Sequence, residues 1–147
     1  MTTTLASLIE SLGSSLHSYL AAAGLWTFPG EEQIKLAIVD LVEDQRSISN
    51  RAGLLLEQRG AVVPRPAYPI RYTATHDIEL GAMLPRILSG LRRQVAECDR
   101  LIDAEADPAA IDLVRQARET AIQHGDALEE CMRQRIAPSA SGAAAGS

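Results

Sequence analysis

The sequence predicts an all-α fold, a four-helix bundle in which a long crossover joins the second helix to the third. Apolar residues recur at the helical spacing of three and four positions through four segments of the 147-residue chain. Hydrophobic residues make up 46% of the chain but aromatic residues only 3%, which is typical of aliphatic packing between helices. The length corresponds to one domain with a sizeable core.

The first predicted helix begins near Leu5 and ends at Gly24. Two aromatic residues follow it, Trp26 and Phe28, and we expect them to cover one end of the bundle. The predicted core positions of this helix are Leu5, Leu8, Ile9, Leu12, Leu16, Tyr19, Leu20 and Ala23.

The second predicted helix follows the breaker Pro29-Gly30 and ends at Gly60, a residue suited to helix termination. Gln45, near the middle of the helix, is a polar residue within its apolar stripe. In a four-helix bundle, ligands of a metal or cofactor are found at that depth. The apolar members of the stripe include Ile34, Ile38, Leu41, Ile48, Ala52 and Leu55.

Residues 61–75 contain Pro64, Pro66 and Pro69, a density that no helix tolerates. An extended segment of this length spans ~50 Å. The second helix is ~44 Å long at ~1.5 Å per residue. The segment can therefore cross the whole bundle, so we expect the second and third helices to run parallel.

The third predicted helix runs from about Asp77 to Asp103, and Pro85 inside it predicts a kink or a break. The fourth begins at Pro108 and ends near Arg135. Residues 136–147 are small and have little to bury, which predicts a disordered tail. The predicted organisation is thus a bundle over residues 1–135 and a tail over residues 136–147.

The net charge of −5 gives no basic footprint for nucleic acid. No apolar run approaches the ~20 residues of a membrane span. The first fifteen residues lack Lys and Arg, so they do not read as a signal peptide. With two cysteines and no export signal, we expect a cytoplasmic protein with neither nucleic acid nor membrane as partner.

Three polar side chains are predicted to lie at one level of the bundle. At ~1.5 Å per residue, His17, Gln45 and His124 fall at similar heights, with Asp44 beside them. Gln45 faces the core, but His17 lies about 120° from the centre of its own apolar stripe and His124 lies at the edge of another.

The third helix is predicted to offer Leu88 and Leu91 at this level, and no carboxylate. Iron and manganese need several carboxylates, and zinc needs three or four good ligands. We therefore expect a buried Gln45 hydrogen-bonded across the bundle and two half-exposed histidines. Cys98 and Cys131 are predicted at heights too different for a disulfide.

Three stretches carry a resemblance to a known family: EDQRSISNRAGLLLEQRG, YPIRYTATHDIELGAMLPRIL and the helix start Asp107-Pro108. Through them the chain resembles the ferritin-like superfamily, in particular small bacterial members with a proline-containing crossover. Metal-binding members carry Glu-x-x-His on the second and fourth helices.

At the corresponding positions this chain has Gln45-x-x-Ile48 and His124-x-x-Ala127. An amide lacks the charge of a carboxylate, and Ile48 cannot ligate a metal. The resemblance therefore implies a ferritin-like scaffold with a degenerate dimetal site.

Two functional hypotheses follow. The first is a non-enzymatic bundle without a cofactor or catalytic residues. It acts by self-association, as a homodimer or higher homo-oligomer, or by binding a protein partner that the sequence does not identify. Leu36 and Leu54 lie off the core stripe and are candidates for a contact with the crossover segment or with a second subunit. The alternative is a protein that binds iron, manganese or zinc through a non-standard set. The candidate ligands are His17, Asp44, Gln45 and His124.

Overall fold

The structure, a computed structural model, describes residues 2–23, 27, 29–75 and 79–145. Side chains are described for residues 4–23, 27, 29–73 and 79–135. Three predictions fall on residues outside these ranges: the helix end at Gly24, the aromatic cover by Trp26 and Phe28, and the helix start at Asp77.

The described part of the chain is all-helical and contains no strand. A short 3-10 helix, Ile70–Thr75, lies in the connection between the third and fourth α-helices. None of the helices in the described ranges is long and apolar enough to cross a bilayer. The α-helices are α1 (Thr2–Gly13), α2 (Leu16–Ala23), α3 (Glu32–Gln58), α4 (Leu80–Ala104) and α5 (Pro108–Ala145).

The predicted first helix is two helices, α1 and α2, because the chain breaks at Ser14 and Ser15. Ser15 immediately precedes α2, and its Oγ accepts a hydrogen bond from the Ser18 amide at 3.2 Å. This is the geometry of a serine N-cap, which starts a new helix with its own register.

The helix α3 ends as predicted. Gly60 has a φ of +70°, in the left-handed region that favours glycine. Its amide donates to the Glu57 carbonyl at 3.0 Å, and the Ala61 amide donates to the Leu56 carbonyl at 2.9 Å. These two bonds form a Schellman motif and satisfy carbonyls at the end of α3.

Contacts between side chains fix the directions of the helices. The helix α5 is antiparallel to α3, as shown by the pairs Gln33–Gln134, Asp44–His124 and Arg59–Asp107. It is also antiparallel to α4, as shown by Arg92–Glu129 and Asp99–Arg118. The helices α3 and α4 are therefore parallel, and the segment between them crosses the length of the bundle as expected.

The helix α4 is continuous through Pro85. The predicted alternative of a break at this proline is wrong, and a kink there stays a prediction. Pro85 lies six residues into the helix, so the one amide hydrogen bond that it lacks falls near the start of α4.

The helix α5 continues past the predicted end at Arg135 as far as Ala145. The prediction rested on the loss of apolar core residues, but alanine, which is frequent in this stretch, has the highest intrinsic helix propensity. The disorder of residues 136–147 stays a prediction.

The buried apolar side chains of the described residues form two clusters, one towards each end of the bundle. The first cluster contains, among others, Leu5, Leu12, Ile48, Leu56, Cys98, Leu101 and Ala117. The second contains, among others, Leu20, Ile38, Val42, Leu84, Leu91, Ala121 and Leu128. The two clusters meet at one level of the bundle, where α2, α3 and α4 each carry a buried polar side chain, whereas α5 passes from Ala117 of one cluster to Ala121 of the other.

Candidate functional site

Three fully buried polar side chains lie where the two apolar clusters meet. His17 of α2, Gln45 of α3 and Gln94 of α4 are 0%, 3% and 5% exposed. Along α3, Gln45 falls between Val42 of one cluster and Ile48 of the other. We call these three side chains the polar layer.

The polar layer is joined by a continuous chain of hydrogen bonds. The ring atom Nε2 of His17 lies 2.8 Å from Oε1 of Gln45. Nε2 of Gln45 donates to Oε1 of Gln94 at 2.8 Å. Nε2 of Gln94 donates to the backbone carbonyl of Ser11 at 3.2 Å. The chain thus links three helices of the bundle to the end of α1.

The last member of the chain sets the direction of every bond in it. The Ser11 carbonyl can only accept, so the amide nitrogen of Gln94 must face it. The oxygen of Gln94 then accepts from the nitrogen of Gln45, and the oxygen of Gln45 must accept in turn. His17 therefore carries its proton on Nε2, and its Nδ1 holds a lone pair.

His17 is neutral near pH 7. The pKa of this imidazole is lowered from 6.5 to about 4, mainly by burial; the hydrogen bond to Gln45 opposes the shift, and the charge of His124 makes a smaller contribution to it. Nδ1 of His17 is buried and has no hydrogen-bond partner. The layer thus contains one unpartnered acceptor and no charge.

The break between α1 and α2 explains why His17 faces the core. A single unbroken helix would place it about 120° from the apolar stripe, as the sequence predicts. The N-cap at Ser15 resets the register, so the prediction of a half-exposed His17 is wrong. Ser11 lies in the last turn of α1, where carbonyls lack an intrahelical donor, and Gln94 supplies one.

His124 and Asp44 form a second, separate pair on the surface. Nε2 of His124 lies 2.6 Å from Oδ2 of Asp44, whose side chain is 61% exposed. The expectation of a half-exposed His124 is confirmed. The four candidate ligands therefore form two pairs, one buried and neutral and one at the edge of the bundle.

The polar layer does not fit the dimetal site that the family resemblance implies. Both polar atoms of the Gln45 amide are occupied by neighbours, and Ile48 is an apolar member of the core. Within the described ranges, no group of three or more His, Cys, Asp or Glu side chains is placed to hold a metal ion. The lone pair on His17 Nδ1 is one ligand, where a metal needs several.

Gln94 is not among the site residues predicted from the sequence, although the sequence carries a signal for it. Helical spacing after Leu91 allows either Gln94 or Val95 on the buried stripe, and the residues that are buried are Leu91, Gln94 and Cys98. Val95 is only partly buried. A second glutamine on the stripe of the adjacent helix would have predicted an amide pair with Gln45.

The two cysteines are free, as expected. Burial is the main cause that raises the pKa of the Cys98 thiol to about 11, so this side chain is an unreactive member of the core. Cys131 is partly buried on α5.

Comparison with family models, with curated proteins and with solved structures gives no match to this chain. The class of protein rests on the geometry alone, which is an all-helical bundle with a neutral polar layer across its core.

Proposed function

We propose that this chain is a non-enzymatic, ferritin-like bundle protein that has lost its dimetal ligands and acts by self-association or by binding a protein partner. The observation that supports the proposal most strongly is the hydrogen-bond chain from His17 to Ser11, in which each side chain donates to the next. It occupies the level at which bundle proteins hold metals and cofactors, and its three buried side chains carry no charge.

The burial of the layer supports a structural role. A general base or nucleophile must come within hydrogen-bond reach of a substrate. His17 is completely enclosed, and the only atom of its ring that could accept a proton has a depressed pKa. Neutral amides such as Gln45 and Gln94 are poor general acids and bases, so the layer specifies how the helices pack.

Self-association is supported by the outer side of α3. Leu36 and Leu54 are 63% and 58% exposed. They are eighteen positions apart, which is about five turns, so they lie on one side of the helix, opposite Gln45. A second copy that packs antiparallel along α3 places Leu36 of one copy against Leu54 of the other.

Charge also favours this antiparallel arrangement. Asp40 and Glu43 lie near Leu36 on the exposed side of α3, and Leu54 has Arg51 three residues before it and Glu57 three residues after it. The antiparallel pairing of Leu36 with Leu54 brings Asp40 of one copy level with Arg51 of the other. We propose that the dimer acts in a reducing cytoplasm, where free thiols persist.

The alternative function is a metal-binding protein with a non-standard ligand set drawn from His17, Asp44, Gln45 and His124. Its specific support is the unpartnered lone pair on His17 Nδ1. Metal binding there requires that neighbouring side chains leave their present hydrogen bonds and supply further ligands.

Elemental analysis of untagged protein purified without chelator separates the two functions. The proposed function predicts no stoichiometric metal and an unchanged melting temperature on addition of iron, manganese or zinc. Near-stoichiometric metal, together with a raised melting temperature that His17→Leu abolishes, would establish the alternative instead.

Sedimentation equilibrium tests the proposed self-association. Wild type is expected to dimerise, and the double variant Leu36→Ser/Leu54→Ser is expected to be monomeric at the same concentration. Val62→Ser is the matched control, because Val62 is also an exposed aliphatic residue but lies outside α3. A monomeric wild type, or a double variant that dimerises like wild type, would contradict the proposal.

A further inference from the structure

A pocket of about 450 Å³ opens on the side of α4, and none of the three polar-layer side chains lines it. Small-molecule sites in proteins typically have volumes of ~300–1,000 Å³. The pocket is lined by Leu16, Arg71, Tyr72, Arg86, Ser89 and Arg93. Half of these side chains carry a positive charge.

The three arginines approach the pocket from two elements. Arg86, Ser89 and Arg93 lie on one side of α4, at the i, i+3 and i+7 positions. Arg71 comes from the 3-10 helix, and its guanidinium lies 5.3 Å from the ring centroid of Tyr72. This cation–π contact orients the plane of the guanidinium at the edge of the pocket.

None of these guanidinium groups has a carboxylate partner in the described part of the chain. Most arginines elsewhere in the described residues do form ion pairs. They are Arg59, Arg92, Arg100, Arg118, Arg133 and Arg135. In a chain with a net charge of −5, three arginines around one pocket, none of them paired with a carboxylate among the described residues, indicate a site for an anion.

We propose that this pocket binds a small organic molecule that carries a phosphate group. A guanidinium presents its donors in a planar fork that matches phosphate oxygens, and the Ser89 hydroxyl adds a further donor. A phosphate monoester carries a charge of about −1.5 to −2 near pH 7. Three guanidinium groups therefore favour it over a singly charged carboxylate.

The rest of the pocket fits an organic group. The pocket is larger than a phosphate ion requires, and the ring of Tyr72 and the side chain of Leu16 line it. The Tyr72 ring is held in place by Tyr19, with ring centroids 5.7 Å apart. The organic part of the ligand packs beside these two side chains while the phosphate contacts Arg71, Arg86 and Arg93.

Isothermal titration at constant ionic strength tests the proposal with four probes: phenyl phosphate, inorganic phosphate, benzoate and phenol. Phenyl phosphate is expected to bind saturably and more tightly than inorganic phosphate. Benzoate is expected to bind at least tenfold more weakly, and phenol is expected not to bind. Two results would overturn the proposal. The first is the absence of any phenyl phosphate binding. The second is saturable binding that is lost when an added salt replaces the buffer ions at the same ionic strength.

Variants then locate the site. Arg86→Gln and Arg93→Gln are each expected to weaken phenyl phosphate binding about tenfold, the usual effect of losing a charge-assisted hydrogen bond. Arg115→Gln is the matched control, since Arg115 is exposed, has no carboxylate partner among the described residues and lies on α5, away from the pocket. Equal weakening by Arg86→Gln and Arg115→Gln would show non-specific attraction and would overturn the assignment.

This site is independent of the proposed function. The pocket residues take no part in the polar layer or in the outer side of α3. A positive titration therefore says nothing about metals or dimers, and a failed one leaves those experiments unaffected.

Discussion

Nε2 of His17 lies 2.8 Å from Oε1 of Gln45, and both side chains are buried at the level where the two apolar clusters meet. Gln45 passes the chain on to Gln94, whose amide reaches the carbonyl of Ser11. Because each amide is fixed by its neighbours at both ends, the register of α2, α3 and α4 is set by one network.

Loss of the middle member should be costly. Gln45→Leu leaves Nε2–H of His17 and the amide oxygen of Gln94 buried without partners. Each unpaired group costs ~1–3 kcal/mol, so we expect the free energy of unfolding to fall by about 2–6 kcal/mol in urea titrations.

Removal of the whole layer should recover most of the free energy of unfolding that Gln45→Leu loses. In the triple variant His17→Leu/Gln45→Leu/Gln94→Leu only the Ser11 carbonyl loses its partner, and apolar packing replaces the network. We expect its stability to lie within about 1–2 kcal/mol of wild type. A triple variant less stable than Gln45→Leu alone would show that the three side chains do not act as a unit.

Acid should destabilise the fold through His17. Burial holds the pKa of His17 at about 4, against 6.5 in an unfolded chain. Between these two pH values the unfolded state binds more protons than the folded state, so stability rises with pH in that window and is lost as pH falls through it. The full loss is about 3 kcal/mol.

Urea titrations at pH 7, 6, 5 and 4 measure this effect by comparison with His17→Leu. That variant should lose about 3 kcal/mol less than wild type over the same range, because it has no buried imidazole to protonate. The control His124→Gln, which removes the neighbouring histidine charge, should keep most of the wild-type slope. Parallel pH profiles for wild type and His17→Leu would refute the buried, neutral assignment.

The crossover packs closely on α1 at Gly13. A Cβ added at this position would lie 2.5 Å from Cγ of Pro66 and 2.9 Å from its Cβ, and a proline ring cannot move aside by rotation. Gly13→Ala should therefore destabilise the protein by ~1–3 kcal/mol in thermal or urea unfolding, although alanine is the better helix former.

Gly125 is the control, because it is a helical glycine with room for a side chain, whereas Gly13 is the last residue of α1. A Cβ at Gly125 would meet Cδ1 of Leu91 at 3.9 Å, an ordinary contact. Gly125→Ala should stabilise the protein by ~0.5–1 kcal/mol. If both substitutions changed stability in the same direction, the close packing of the crossover on α1 would be wrong.

Glu79 and Arg135 join the start of α4 to α5. The Glu79 carboxylate is nearly buried, caps α4 by accepting from the amides of Gly81 and Ala82, and pairs with Arg135. Arg135→Met should cost about 2 kcal/mol in unfolding free energy, because the carboxylate stays buried without its counter-charge.

Arg133→Met provides the comparison for this pair. Arg133 also lies on α5 and pairs with Glu130, but its side chain is 67% exposed. Ion pairs at the surface contribute little, so the change should stay within ~0.5 kcal/mol. An equal loss of unfolding free energy in Arg135→Met and Arg133→Met would show that the buried carboxylate of Glu79 has no special role.

Much of the fold follows from local signals in the sequence. Gly60 ends α3 in a left-handed conformation. Its position directly after an apolar stripe is enough to predict this helix end. The prolines at 64, 66 and 69 predict the crossover, and its length predicts parallel α3 and α4. Ser15 was harder to foresee, because a serine on the polar side of a helix and a serine N-cap look alike in sequence.

The site depended on this one unforeseen feature. Gln45 could be placed in the core from periodicity, but the burial of His17 follows from the break at Ser15 and not from the spacing of a single helix. The burial of Gln94 could not be predicted from spacing alone, because stripes through Gln94 and through Val95 fit the helical period equally well. The arginine pocket brings Arg71 to Arg86 and Arg93 through tertiary packing, which no spacing in the sequence reveals.

The most direct test of the polar layer is the protonation state of the His17 ring, measured by long-range proton–nitrogen NMR between pH 5 and 8. The hydrogen-bond chain from His17 to Ser11 predicts a proton on Nε2 of His17, a non-protonated Nδ1 and no titration of the ring across this range. A proton on Nδ1, or a titration midpoint near 6.5, would contradict the network and with it the interpretation of the layer as a neutral structural element.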